Sequence, residues 1–326
     1  MAEVQRVQLG YNNVYAVRSG GESVLIDTGP DYRGASDALR AALGTPAPET
    51  VVATHGHSDH AGLGASWQRA GSRVLLGAAD AHFTAGRGPA HPAEFALLEQ
   101  FVGDSLAPME VAGEAMAALE RRRLAGELAA GEYPPANRPP RWPTGLRFEP
   151  FTPDGPAGER TPLPAGLRIF EAPGHTPGNV VVVDEAEGWL FSGDQLLRDI
   201  TPTPAVQSDP ASESARFRSL PAFVRSTREL GEGRFARCFP GHGEPFDGVN
   251  AVIEEQLRAI EERAARVLQE LRAGGPAGLY GLAERLYPRA LRRRFWQIAP
   301  TVLGHLDLLI ESGAVHCTDG VYEVLA

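Results

Sequence analysis

Thr54-His55-Gly56-His57-Ser58-Asp59-His60 places three imidazoles and a carboxylate within seven residues, directly after the apolar run Thr50-Val51-Val52-Ala53. Imidazole and carboxylate together suit zinc, manganese or iron, and histidines at i and i+2 beyond a strand end can face one ion. Asp59 and His60 then have room to face a second ion. A metal site must be completed from elsewhere in the chain, and three later loops qualify. Gly174-His175-Thr176-Pro177-Gly178-Asn179, Ser192-Gly193-Asp194 and Pro240-Gly241-His242-Gly243 each close a strand-like run. Glycine in each lets the backbone turn tightly and approach a ligand. Five histidines and two aspartates on four loops make a two-metal inventory.

The order His-x-His-x-Asp-His, a lone His, a lone Asp and a last His resembles the metallo-β-lactamase fold superfamily, over roughly residues 4 to 250. The ligand set is similar to that of glyoxalase II and of the nuclease branches. This resemblance implies an α/β, four-layer αββα sandwich. It implies that His55, His57 and His175 hold a first metal, that Asp59, His60 and His242 hold a second, and that Asp194 bridges both. By the same resemblance Asp27, at the end of the strand Ser23 to Gly29, supports the centre by hydrogen-bonding a ligand, since ligating histidines need partners that fix tautomer and ring orientation. True class B β-lactamases commonly carry Cys at the lone-Asp position, so the resemblance does not extend to a β-lactam substrate.

Two divalent ions, zinc for so histidine-rich a set and manganese or iron otherwise, would share a bridging hydroxide, with Asp59 and Asp194 as the catalytic carboxylates. The expected activity is metal-dependent hydrolysis of a thioester or related activated ester, as in the glyoxalase II branch. Two other readings stay open: an endoribonuclease acting on single-stranded RNA, and a mononuclear iron dioxygenase acting on a persulfide.

Composition narrows the partners. The chain of 326 residues is 43% hydrophobic and 22% charged, which is the balance of a folded protein. Its net charge of −10 opposes general nucleic-acid binding, because phosphate backbones are held by excess positive charge. A small-molecule substrate is expected instead. All 31 basic residues are arginine, so lysine nucleophiles and Schiff bases are excluded, and any carboxylate or phosphate clamp must use guanidinium. Cys238 and Cys317 read as separate buried hydrophobes rather than a disulfide. No run approaches the roughly 18 apolar residues of a membrane span, and the N-terminus lacks a signal-peptide pattern, so the expected location is cytoplasmic.

Two units are expected, 1–273 and 274–326. In the first, residues 4 to 18 read as a hairpin around Gly10-Tyr11-Asn12-Asn13, and helices are expected over 34–43, 59–70, 217–230 and 248–272. Strands are expected over 50–53, 73–77, 166–172, 179–184, 189–192 and 236–239, and a loop over 198–210. A helical, Pro-rich insertion spans about 80 to 165, with helical spacing over 92–106 and 109–130 and five prolines between Tyr133 and Pro143. It serves either as a lid over the metal mouth or as a homodimer contact, and Arg138, Arg141 and Trp142 are its substrate-contact candidates. The second unit resembles a winged-helix domain, with helices expected over 278–287, 289–297 and 300–313 and a hairpin about Asp319-Gly320. From Glu254 onward 9 Arg face 10 Asp plus Glu, which favours packing or dimerisation over DNA binding. His82, His91, His305 and His316 have no partner spacing and read as ordinary surface or core residues.

Overall fold

Residues 2–44, 47–85, 148–200, 204, 206–209, 212–291 and 294–325 are described by a computed structural model. The helices expected over 92–106 and 109–130, together with His91, Arg138, Arg141 and Trp142, lie outside these residues. Strands β1 (Glu3–Leu9) and β2 (Asn12–Ser19) form an antiparallel hairpin, and β3 (Glu22–Ile26) pairs antiparallel with β2. Helix α1 (Ala35–Leu43) leads to β4 (Thr50–Ala53), parallel to β3. Helices α2 (Ser58–Ala61) and α3 (Gly64–Arg69) lead to β5 (Arg73–Leu76), parallel to β4. After α4 (Ala81–Thr84), β6 (Gly155–Pro156) completes a six-stranded sheet of order β1-β2-β3-β4-β5-β6.

A second sheet starts with β7 (Arg168–Glu171), β8 (Val180–Asp184) and β9 (Trp189–Gly193). The short pair β10 (Ser208–Asp209) and β11 (Ser212–Arg216) and helix α5 (Ser219–Glu232) follow. Strands β12 (Arg237–Pro240) and β13 (Phe246–Asp247) then give the order β13-β12-β9-β8-β7. Helix α6 (Val249–Gly274) runs into β14 (Ala277–Gly278), α7 (Leu279–Leu286), α8 (Phe295–Glu311), β15 (Val315–Thr318) and β16 (Val321–Val324). Their small sheet has the order β14-β16-β15.

Side-chain alternation builds the layers, because successive strand residues point to opposite faces. Val24 and Ile26 of β3 pack with Val180, Val182 and Phe191 of the second sheet, forming the core between the sheets. Leu25 between them faces the other way, against Leu39 of α1 and Trp67 of α3. Val181 and Val183 likewise turn outward toward Val249 and Ile253 of α6. The result is helix, sheet, sheet, helix, the expected αββα sandwich. A further cluster joins Val267 and Leu271 at the end of α6 to Leu279, Leu282, Leu306 and Tyr322. Among the described residues no helix is long and apolar enough to cross a membrane.

Four local expectations are corrected. The helix over 59–70 breaks at Gly62-Leu63, where Leu63 N donates to Gly29 O and Thr28 Oγ1, both at 3.0 Å, instead of back along a helix. A Cβ on Gly62 would lie 2.2 Å from Ser58 O and 2.7 Å from Asp31 N, so only glycine admits this docking. The 198–210 stretch is not all loop, since it carries β10. Helix α8 begins at Phe295 and runs through Pro300, while 288–291 form turns rather than a helix. Proline costs about 3 kcal/mol in a helix interior. Burial of Ile298, Val302, Leu303 and Leu306 contributes about 1.5–3 kcal/mol for each aliphatic side chain and outweighs it. Finally, Cys238 is buried as expected but Cys317, on β15, is exposed; both are free.

Candidate metal centre

The seven expected ligands lie beyond strand ends. His55 and His57 follow β4, Asp59 and His60 open α2, His175 lies between β7 and β8, Asp194 follows β9 and His242 follows β12. Backbone hydrogen bonds of 2.8 Å stitch these loops together: Val180 N to Thr54 O, Gly241 N to Gly193 O, and Asn13 N to Gly241 O. A Cβ on Gly241 would come within 2.6 Å of the His60 ring and 2.9 Å of Asp194 Oδ1, so glycine is what lets the loops close this tightly.

Two groups of donor atoms result. In the first, His57 Nδ1 lies 3.0 Å from His55 Nε2 and 3.1 Å from His175 Nε2. In the second, His60 Nε2 lies 3.6 Å from Asp59 Oδ2, 3.5 Å from Asp194 Oδ1 and 3.3 Å from His242 Nε2. His242 Nε2 in turn lies 3.5 Å from Asp59 Oδ2 and 3.4 Å from Asp194 Oδ1. The other oxygen, Asp194 Oδ2, reaches the first group at 3.5 Å from His175 Nε2. Asp194 therefore spans both.

These distances test whether a cation fits. In the second group, a tetrahedron with edges of about 3.3–3.6 Å has its centre about 2.0–2.2 Å from each corner, which is the range of zinc–nitrogen and zinc–oxygen bonds. Three imidazole nitrogens facing one another cannot all be satisfied by hydrogen bonds among themselves, and buried Asp194 Oδ1 has no hydrogen-bond partner. A cation in each group would satisfy them.

The far sides of the rings fix which nitrogen is bare. Asp27 Oδ1 accepts from Thr54 N and Thr54 Oγ1, each at 2.8 Å, and Oδ2 lies 2.8 Å from His60 Nδ1. His60 must donate from Nδ1, which leaves Nε2 as the nitrogen directed at the second group. Thr54 Oγ1, its proton committed to Asp27, accepts from His55 Nδ1 at 3.1 Å and leaves His55 Nε2 bare. His242 Nδ1 donates to Tyr11 O at 3.2 Å with the same effect. Asp27 thus hydrogen-bonds the His60 ring directly and reaches the His55 ring through Thr54.

Electrostatics divide the groups. Burial pushes His55 well below the usual imidazole range, lowers His57, and drives His175 down to about 3. All three stay neutral, as ligands must. For His60 burial acts downward, but Asp194, Asp27 and Asp59 outweigh it and raise the ring to about 10, so without an ion Nε2 would hold a second proton, which a bound cation would replace. Burial would raise Asp59 and Asp194, yet the surrounding histidines hold both below the usual carboxylate range. The second group is thus a point where positive charge is strongly favoured.

Three contributors carried no sequence signal beyond turn chemistry. Tyr11 stacks on His242 with ring centroids 4.2 Å apart. Asn12 donates from Nδ2 to Asp59 Oδ2 at 3.2 Å. Asp80, four residues past β5, is fully buried among the same loops. The other described histidines stand apart from the ligand groups: His82 Nδ1 faces Ala79 O, His305 Nδ1 faces Thr301 O, and His316 faces Glu323.

Residues 7–242 match the family described as the metallo-beta-lactamase superfamily. The Bacillus subtilis protein named probable metallo-hydrolase YqjP is 29% identical over 153 residues, 46% of each chain, so this chain spans under half the length of that relative. A hydroxyacylglutathione hydrolase of Anaeromyxobacter dehalogenans is 30% identical over 269 residues, 82% of this chain and 74% of the other. A solved metallo-beta-lactamase family protein from Thermus thermophilus superposes with a TM-score of 0.66 at 26% identity, covering 99% of this chain and 98% of the other.

Proposed function

This chain belongs to the metallo-beta-lactamase superfamily, and we propose that it is a metallohydrolase that cleaves a thioester or a related activated ester at a binuclear centre. The observation that carries the binuclear reading is Asp194, whose two oxygens face different groups, Oδ1 toward His60 and His242 and Oδ2 toward His175. Support for a thioester comes from the similarity, over 82% of the chain, to a hydroxyacylglutathione hydrolase.

His55, His57 and His175 would hold one ion, Asp59, His60 and His242 the other, with Asp194 shared. Bound there, two divalent ions supply Lewis acidity toward a carbonyl and bring the pKa of water at the site near neutrality. Zinc suits this histidine-rich set best, and manganese or iron can use the same donors. The chain's own residues do the positioning. Asp59 has 23% of its side chain exposed, against 11% for Asp194, so it is the carboxylate open to the mouth. It accepts a hydrogen bond from the attacking water and aims it, while Asn12 holds its Oδ2 in place. Water oxygen forms the new bond to the acyl carbon, the C–S bond breaks, and the sulfur leaves as thiol carrying one of the water's protons, while the other is released with the product carboxylate.

The test is hydrolysis of lactoylglutathione and of short acyl-CoA thioesters by zinc-loaded protein, followed by release of free thiol. Turnover that is lost in Asp59→Asn supports the reading. A fully loaded protein inert toward the whole panel overturns the thioester assignment.

A further inference from the structure

The metal centre has two groups but only one of its supports, Asp27, was anticipated. Asp27 reaches His60 directly and His55 through Thr54, and it touches neither His57 nor His175. A second buried carboxylate stands where those two are carried. Asp80 is fully buried, and its oxygens accept three hydrogen bonds. Oδ2 accepts from Gly56 N at 2.8 Å and from Thr176 Oγ1 at 2.6 Å, and Oδ1 accepts from Gly178 N at 2.7 Å. Gly56 lies between His55 and His57, and Thr176 follows His175 directly. One carboxylate therefore clamps the two separate loops that supply all three nitrogens of the first group.

The backbone is built to allow this clamp. A Cβ on Gly77 would lie 1.9 Å from Gly178 O, and a Cβ on Gly178 would lie 2.6 Å from Asp80 N. Only a glycine pair lets the turn after β5 press against the His175 loop. None of the three hydrogen bonds goes to Asp59, His60, Asp194 or His242, or to a residue beside them.

We propose that Asp80 is the positioning residue of the first metal group, setting affinity there while leaving the second group unaffected. This rests on the binuclear reading above. Ligating side chains held by outer hydrogen bonds typically lose 10–100-fold in metal affinity when the outer partner is changed. Asp80→Asn keeps the volume but carries one oxygen and one NH2. Whichever way the amide faces, it meets Gly56 N–H or Gly178 N–H donor to donor, so at least one tie to the first group breaks.

Metal-free protein is titrated with zinc against a chromophoric chelator in two backgrounds. His242→Ala isolates the first group and His175→Ala isolates the second. The expected result is that Asp80→Asn weakens zinc about 10–100-fold in the His242→Ala background and leaves the His175→Ala background unchanged. Thr176→Val, which removes a single donor and leaves the carboxylate, is expected to give a smaller loss in the same background only, and it decides the matter if Asp80→Asn fails to fold. Equal weakening of both groups by folded variants, or no change in either, would overturn the assignment. If neither background binds zinc even with Asp80 intact, the binuclear reading itself has failed instead.

Discussion

Replacing Asp27 by Asn alters protons and almost nothing else. The residue has a backbone φ of 65°, a region where Asn is several-fold enriched among non-glycine residues, so the backbone tolerates the change. The oxygen of the new amide must stay at Thr54, where two donors converge at 2.8 Å. Its NH2 then faces His60 Nδ1, at the 2.8 Å position now held by Asp27 Oδ2. Nδ1 can only accept there, and the ring proton moves to Nε2, the atom that faces Asp59, Asp194 and His242. Freeing Nε2 for a metal then sets two donors against each other and forfeits a hydrogen bond to a charged group, worth about 1.5–3 kcal/mol. At about 1.4 kcal/mol per tenfold, zinc should bind the second group about 10–150-fold more weakly. The first group should be untouched, because the Thr54 hydroxyl still donates to an oxygen and still accepts from His55. Metal-dependent stabilisation grows as RT ln(1 + [L]/Kd), so a hundredfold weaker site loses about 2.7 kcal/mol of it at saturating zinc. Zinc titration in the His175→Ala background, with thermal unfolding in the presence and absence of chelator, reads both effects. Unchanged second-group affinity in Asp27→Asn, or a loss confined to the first group, would refute the tautomer argument.

Gly241→Ala should cost about 1–3 kcal/mol and weaken the second group, because the new methyl overlaps the His60 ring and Asp194; thermal unfolding with and without zinc measures both. Arg216 and Asp307 form a buried bidentate pair at 2.6 and 2.7 Å joining β11 to α8. Asp307→Ala should lower stability by about 3–5 kcal/mol in denaturant titration, while the joint change Arg216→Met, Asp307→Leu should recover most of it; a single-variant cost under about 1 kcal/mol would contradict this. A thiol reagent at pH 8 should label one cysteine of the native chain, exposed Cys317, and two after denaturation. Burial pushes the Cys238 thiol up to about 12 and its Sγ faces Ser192 Oγ at 3.3 Å, so two native thiols would contradict its placement.

What was legible in the sequence is what depends on neighbours along the chain. Val180-Val181-Val182-Val183 reads as a strand, and in the fold its residues divide between two cores. Four of the seven candidate ligands sit in one heptapeptide, and glycine marks each of the remaining strand-end loops. What was not legible is contact made by folding. Asn12 meets Asp59 across 47 residues and Tyr11 meets His242 across 231, yet in the sequence both are only turn formers. Asp80 meets two glycine N–H groups, which leave no residue-type signature, and a hydroxyl 96 residues further along the chain. The break in the 59–70 helix is caused by Thr28 and Gly29, more than thirty residues earlier. Pro300 reads as a helix boundary until the burial of α8 outweighs it.

Elemental analysis of the protein purified without chelator, counting metal per chain, bears most directly on the centre. Two divalent ions per chain, falling to one in His175→Ala and to one in His242→Ala, is the predicted result. A single iron per chain that survives His242→Ala, or a folded protein that takes up no ion from excess zinc, would contradict a binuclear hydrolytic centre.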